Sequence, residues 1–293
     1  MSAVVSTGLR ILLEKISERL AAAGIEAPGV EAEGLLSAAL GDVPRHLLYQ
    51  EEREITDNEQ DLLEQFISRR LAGEPLQYIT GEAAFRLLTL QVDRRALIPR
   101  PETEGLVEVA LRLMGSNRQA LVLDAGTGSG AIALSLAVEC PGWRIVAAEV
   151  SQAALELARE NADRYDVGQI EWLEADITRL DFWRHLPPLD LVVSNPPYVT
   201  EEEWDELPRE IRDYEPKVAL VAGPRGLDVI SALLEGASTR VKPGGLVVIE
   251  IGDTQGDEVM ELARLNGFVD ARVAPDLSAR PRYLIALQRR NDG

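Results

Sequence analysis

Between Ala120 and Val138 an apolar stretch runs into Asp124-Ala125-Gly126-Thr127-Gly128-Ser129-Gly130 and then into a second apolar stretch. The three glycines permit a tight turn and let another group approach the backbone, which side chains would prevent. A strand that ends in such a turn and passes straight into a helix opens a βαβ unit. The rest of the chain repeats that alternation. Strands are expected at 120–123, 144–148, 171–174, 189–193 and 246–251, and helices at 131–138, 151–165 and 227–239. Stretches 268–273 and 283–287 read as two closing strands joined by a polar turn. Elements of these lengths predict an α/β, Rossmann-like fold with a mainly parallel seven-stranded sheet covered by helices on both faces.

The first eighty residues follow a helical period instead. Leu9, Leu12, Ile16 and Leu20 recur up to Gly24, and a second stretch, 30–40, stops at Gly41. Thr56-Asp57-Asn58-Glu59 has the form of a capping box for a helix carrying Leu62, Leu63, Phe66, Ile67 and Leu71. Residues 1–76 therefore read as an N-terminal helical bundle. Over 77–98 the period shortens: Leu88, Leu90 and Val92 alternate with Thr89, Gln91 and Asp93, as in half of a β-hairpin that links the bundle to a domain over 99–293. That domain opens with Pro99-Arg100-Pro101-Glu102-Thr103-Glu104, whose acids suit the positive end of a following helix.

No run of 18 apolar residues occurs, so no membrane-spanning helix is expected. Met1 to Arg10 lacks the basic, apolar and small-residue succession of a signal peptide. The single cysteine, Cys140, excludes an intramolecular disulfide, fits a cytoplasmic setting and argues against a cysteine-built metal site, so no metal is expected. A net charge of −19 disfavours a polyanionic partner, because nucleic-acid affinity rests largely on neutralising phosphates.

Four stretches carry chemistry. The glycine loop has G-x-G-x-G spacing rather than the dinucleotide G-x-G-x-x-G, and Asp124 stands two residues ahead of it. A pyrophosphate at a helix N-terminus is repelled by a carboxylate, whereas S-adenosylmethionine, with an ammonium and a sulfonium, tolerates or uses one. A tight turn alone would also explain the glycines. Glu149, at the end of the next strand, can accept both hydroxyls of a ribose, or cap the helix after it. Asp176 can accept from an adenine amino group while Ile177 packs on the ring. Finally, Asn195-Pro196-Pro197-Tyr198 ends an apolar strand, since neither proline can donate to a sheet ladder. The Asn195 side-chain carbonyl and the Pro196 backbone carbonyl beside the flat ring of Tyr198 suit a planar NH2 group. Accepting both N–H bonds of such a group raises electron density on its nitrogen and orients its lone pair toward a methyl donor.

Together these stretches resemble the HemK/PrmC-type release-factor glutamine methyltransferases. The resemblance also includes 73–81 with Phe85, Leu97 to Glu104, Tyr214-Glu215-Pro216 and Glu250-Ile251-Gly252, and extends over nearly the whole chain. It implies a class I S-adenosylmethionine-dependent methyltransferase domain behind a substrate-binding bundle, and methyl transfer to the glutamine amide of the Gly-Gly-Gln motif in peptide chain release factors. By position it implies cofactor contacts from Asp124, Gly126, Thr127, Gly128, Ser129, Gly130, Glu149, Asp176, Ile177 and Asn195. Asn195, Pro196 and Tyr198 would be the catalytic residues, and Phe85, Arg100 and Pro197 would join them in holding the substrate. The chain departs from the family at Arg86 and Leu87, where an aromatic and a small residue are usual, and at Ile177, where an aromatic is common. A monomer is expected. An adenine-N6 methyltransferase could use the same four residues, but predicts a basic face that a charge of −19 disfavours. A non-catalytic nucleotide-binding protein would have no use for Asn195 and two prolines at a strand end.

Overall fold

In the computed structural model, residues 8–49, 54–115, 119–167 and 170–290 are described; residues 1–7, which carry much of the signal-peptide reading, lie outside them. The elements in chain order are α1 (Leu9–Ala22), α2 (Pro28–Ala39), α3 (Asp57–Leu71), α4 (Leu76–Thr80), β1 (Glu82–Phe85), β2 (Leu88–Gln91), α5 (Pro101–Met114), β3 (Leu121–Ala125), α6 (Ala131–Glu139), β4 (Arg144–Glu149) and α7 (Gln152–Ala162). They continue with β5 (Ile170–Glu174), α8 (Leu180–His185), β6 (Leu189–Ser194), α9 (Glu201–Glu206), α10 (Arg209–Arg212), α11 (Asp228–Ser238), β7 (Val241–Glu250), α12 (Gly256–Leu265), β8 (Phe268–Pro275) and β9 (Pro281–Gln288). One compact unit comprises the residues up to Glu82 together with Arg209–Tyr214, and the other holds Ala83–Pro208 and Glu215–Gly293.

The first unit is helical. Leu9, Leu13, Ile16 and Leu20 on α1 pack with Leu35 and Leu36 on α2 and Leu63 and Ile67 on α3. The capping box at Thr56 forms in both directions: Glu59 N donates to Thr56 Oγ1 and Thr56 N to Glu59 Oε2. This unit continues past residue 76, because 76–80 is a short helix whose Ile79 enters the bundle core before Gly81 ends it in the left-handed region (φ +79°). Arg70, buried, pairs with Glu31 and, at 3.1 Å, with Glu210 of the 209–214 segment.

The second unit is built on a seven-stranded sheet of order β5-β4-β3-β6-β7-β9-β8, antiparallel only where β9 pairs with its neighbours. The central strands β3, β4 and β6 are buried on both faces and read as nearly continuous apolar runs, whereas β5 and β8 at the edges are only partly buried. Successive residues still alternate: Leu123 and Val192 join one core with Trp183, Ile230 and Val259, while Val122 and Val193 join the other with Leu106, Ile132 and Leu90. The one acid inside β6, Asp190, accepts from Leu121 N and Lys242 Nζ, both at 2.8 Å. A two-stranded hairpin, β1–β2, carries Phe85, Leu88 and Leu90 into the second core. Its tip, Arg86, has φ +51° and binds Glu139 on α6 and Glu108 and the Glu104 carbonyl on α5.

Helix α5 lies hard against β9. The Tyr283 hydroxyl donates to the Glu102 carbonyl at 2.7 Å, and a Cβ at Gly105 would stand 2.1 Å from that hydroxyl oxygen. Gly105→Ala must displace the Tyr283 hydroxyl, breaking its bond to the Glu102 carbonyl, or move α5 from the sheet. We expect a loss of about 1–3 kcal/mol in urea unfolding; an unchanged midpoint would show that the helix and Tyr283 are not in firm contact.

Candidate active site

The parallel register sets Asp124 level with Ala147 on one side and Val193 on the other, so β3, β4 and β6 end together. The strand order reverses between β3 and β6, and ligands of open α/β sheets bind outside such a point. Ser194 Oγ donates to the Ala125 carbonyl at 2.5 Å and ties the two strand ends together.

The glycine loop leaves β3 with Gly126 and Thr127 both donating to the Ala148 carbonyl. Gly126, Gly128 and Gly130 all have positive φ (+78°, +56° and +86°), which other residues adopt only with strain. A Cβ on Gly126 or Gly128 would meet no protein atom within 4 Å, so the space over the loop is open. Gly130 instead faces α7, where a Cβ would crowd Ala158 and Leu134. Asp124 is fully buried beneath the loop. Its Oδ2 accepts from Thr127 Oγ1 (2.6 Å) and Ala133 N (3.0 Å), while Oδ1 has no protein partner. Burial, aided by nearby Glu149, raises its pKa to about 7. Asn161 on α7, also fully buried, donates to the Ser129 carbonyl and holds Gln91 of the hairpin through both its N–H and its carbonyl.

Glu149 ends β4. Its Oε2 accepts from Gly128 N (2.9 Å) and its Oε1 from Ser151 N (3.0 Å), so loop and helix both orient one carboxylate. Asp176 accepts from the amide and hydroxyl of Thr178 through Oδ1. Asn195 donates from Nδ2 to Thr103 Oγ1 at 2.9 Å, which leaves Oδ1 as the acceptor end of its amide. Thr103 Oγ1 in turn donates to Glu250 Oε2 at 2.8 Å, and the Tyr198 hydroxyl donates to Glu250 Oε1 at 3.3 Å. The Tyr198 carbonyl is held by Gln255 Nε2, and Gly226 has no room for a side chain because that carbonyl oxygen would lie 2.1 Å from its Cβ.

Thr103, the glycine loop, Glu149, Asp176 and Asn195 line a cavity of about 390 Å³. Its wall includes Arg100, Gly126, Thr127, Gly128, Ser129, Glu149, Asp176, Ile177, Asn195 and Pro197. Apolar surface comes from Ala96, Leu97, Ile132 and Val229. The loop cradle, the fixed carboxylate of Glu149 and the apolar wall fit a nucleoside cofactor such as S-adenosylmethionine.

Other sequence-predicted residues fall elsewhere. Phe85 does not close the cavity: it is completely buried in the hydrophobic core, because alternation on the hairpin turns it inward with Leu88 and Leu90. Asp124 and Gly130 lie behind the wall and shape the loop. Pro196 is buried, and Tyr198 lines a neighbouring depression with Glu203, Gln255 and Arg282. Arg100 is on the wall but its guanidinium is paired with Glu215, which also accepts from Ile98 N. Thr103, Glu250, Gln255 and Asn161 are not legible as site residues, since none belongs to a local motif with its partner; Thr103 and Glu250 stand in stretches that carry the family resemblance, and Glu250 is also a polar residue after the apolar Val247-Val248-Ile249, but neither signal gives a role.

A family model described as PrmC N-terminal domain matches residues 12–81, and one described as Methyltransferase domain matches 122–214. The release factor glutamine methyltransferase of Moorella thermoacetica is 42% identical over 286 residues, 96% of this chain and 99% of its own. That of Koribacter versatilis is 38% identical, with 94% and 97% covered, and that of Streptomyces coelicolor 39% identical, with 95% and 98% covered. A solved methyltransferase from Pyrococcus furiosus, 18% identical, shares the fold at a TM-score of 0.52 over 80% of this chain and 100% of its own.

The raised pKa of Asp124 has a consequence for stability. The folded state keeps a proton on Asp124 that the unfolded chain releases above about 4. This group therefore favours folding most at low pH, and that contribution fades as pH rises through about 7. Asp124→Asn should shrink the fall in urea midpoint between about pH 5 and pH 8, by an amount on the order of 1–3 kcal/mol. An unaltered pH dependence in the variant would refute the assignment.

Proposed function

The chain belongs to the release factor glutamine methyltransferases, and on that premise we propose that it methylates the side-chain amide nitrogen of the glutamine in the Gly-Gly-Gln motif of peptide chain release factors. Its larger unit is a class I S-adenosylmethionine-dependent methyltransferase domain. The observation that carries the reading is the fixed polarity of the Asn195 amide at the wall of the glycine-loop cavity. With Nδ2 committed to Thr103, Oδ1 is the atom left to accept an N–H from an incoming amide.

The glycine loop and Glu149 hold the cofactor, the first by close backbone approach and the second by accepting from ribose hydroxyls. Asp176 and Ile177 take the adenine. When bound, S-adenosylmethionine supplies a methyl carbon activated by its sulfonium. Asn195 Oδ1 and the Pro196 carbonyl accept the two N–H bonds of the glutamine amide, which keeps its nitrogen electron-rich and its plane fixed. Pro197 and the apolar wall exclude water around it. No strong base is required, because an amide nitrogen that has gained a methyl group and a positive charge releases its proton readily. The helical unit, matched by the PrmC N-terminal domain family, binds the release factor. In this reading the enzyme acts as a monomer in the cytoplasm, where translation terminates. A charge of −19 supports an acceptor that is a protein and not a nucleic acid. No described helix is long and apolar enough to cross a membrane.

Incubation with labelled S-adenosylmethionine and, separately, a release factor, its Gln→Ala variant in the Gly-Gly-Gln motif, and DNA tests the assignment. Label is expected on the unmodified release factor alone; label on DNA, or equal label on both release factors, would refute it. Asn195→Ala should lower the transfer rate by about 100-fold or more while calorimetry still detects cofactor binding. Full activity in that variant would remove Asn195 from the mechanism.

A further inference from the structure

Among the described residues, Glu250 is the buried carboxylate that joins both ends of the Asn-Pro-Pro-Tyr motif. It ends β7, is 1% exposed, and lines neither the cavity nor its neighbouring depression, but it hydrogen-bonds to Thr103 on the cavity wall and to Tyr198 in the depression. Each of its oxygens accepts one hydroxyl: Oε2 from Thr103, Oε1 from Tyr198. The order of donors then determines the orientation of Asn195. Because the Thr103 hydroxyl spends its proton on Glu250, its oxygen is an acceptor toward Asn195, and only the NH2 end of the Asn195 amide can face it.

We propose that Glu250 is a positioning residue for methyl transfer, which through Thr103 holds the Asn195 amide with Oδ1 toward the acceptor and through the Tyr198 hydroxyl holds the other end of the same motif. The proposal rests on the reading of Asn195 as the group that accepts from the substrate amide.

The role requires an ionised carboxylate, since only that form accepts on both oxygens without a proton of its own to place between two hydroxyl donors. A glutamine would present one donor end. That end would either meet the Tyr198 hydroxyl, or displace the Thr103 proton and favour the reversed Asn195 amide. Burial pushes the Glu250 pKa up to about 7, with Glu102 on α5 adding to it; the Thr103 and Tyr198 hydroxyls and the Arg282 guanidinium on β9 oppose the rise. Tyr283, also on β9, faces the same carboxylate. Tyr198 itself stays protonated, its phenol raised well above the ordinary range by burial and by Glu250. Protonation of Glu250 on acidification thus makes a donor of one oxygen and breaks the chain of acceptors.

The test is steady-state methylation of a release factor by wild type, Glu250→Gln, Thr103→Val, Thr103→Ser and the Thr103→Val/Glu250→Gln double variant, between about pH 5.5 and pH 9. Cofactor affinity and melting temperature are measured alongside. Glu250→Gln and Thr103→Val should each lower kcat by about tenfold or more, with KM for the release factor and Kd for the cofactor within about threefold of wild type. Thr103→Ser, which restores the hydroxyl, should recover most of the rate. The double variant should be no slower than the slower single one, because both changes cut the same chain. Wild-type kcat should rise through about pH 7, and Glu250→Gln should lack that rise. Thr103→Val leaves the carboxylate in place and reads the link even if Glu250→Gln folds poorly. A Glu250→Gln rate within about twofold of wild type at every pH would overturn the proposal, as would losses that multiply in the double variant. Wild-type protein that labels no release factor would instead overturn the acceptor assignment and this proposal with it.

Discussion

The hydrogen bond from Ser194 Oγ to the Ala125 carbonyl closes the carboxyl edge of the sheet at the point where the strand order reverses. Everything at the site depends on that edge being level. Parallel pairing brings β3, β4 and β6 to an end in the same plane, and each delivers one part: the glycine loop, Glu149 and Asn195. A slip of one residue in β6 would turn Val192 and Val193 to the wrong cores and carry Asn195 away from the loop. The two apolar cores on the faces of the sheet therefore hold the chemistry in register without touching it.

The acids at this edge trade stability for placement. Asp124 and Glu250 are both buried, and both have pKa values near 7 because the interior disfavours their charge. A fold selected for stability alone would place apolar residues there. Asp124 instead ties Thr127 and the first turn of α6 together under the loop, and Glu250 ties two motifs from distant parts of the chain. Asp190 and Asn161 show a purely structural version of the same device. Each meets backbone groups at a strand end or hairpin edge that no ladder partner satisfies.

Periodicity alone located most of the strands and long helices, because burial on both faces makes the central parallel strands apolar runs and amphipathic helices repeat every third or fourth residue. It missed α8, α9 and α10, which are six, six and four residues long, and also the ten-residue α12. It also read 77–80 as part of the linker, where Ile79 is drawn into the bundle core. At the site, the residues that meet the cavity through the backbone or at a strand end were legible: Gly126, Gly128, Glu149 and Asn195. Phe85 was not, since an aromatic beside a site and an aromatic in a core have the same sequence signature. The Arg86-Leu87 departure has a local account for its first residue: Arg86 pins the hairpin tip by ion pairs to Glu139 and Glu108.

By itself the sequence determined the alternating fold, the cofactor class and the four residues at the end of β6, for each of these is written in contiguous residues. Turn chemistry, strand termination and helix capping act over a few positions and need no knowledge of the rest. Tertiary structure alone decided which way the Asn195 amide points. That depends on Thr103, which lies 92 positions away from Asn195, and on Glu250, which lies 147 away from Thr103. Hydrogen-bond polarity passes only between groups in contact, and those contacts exist only once α5, β6 and β7 have packed.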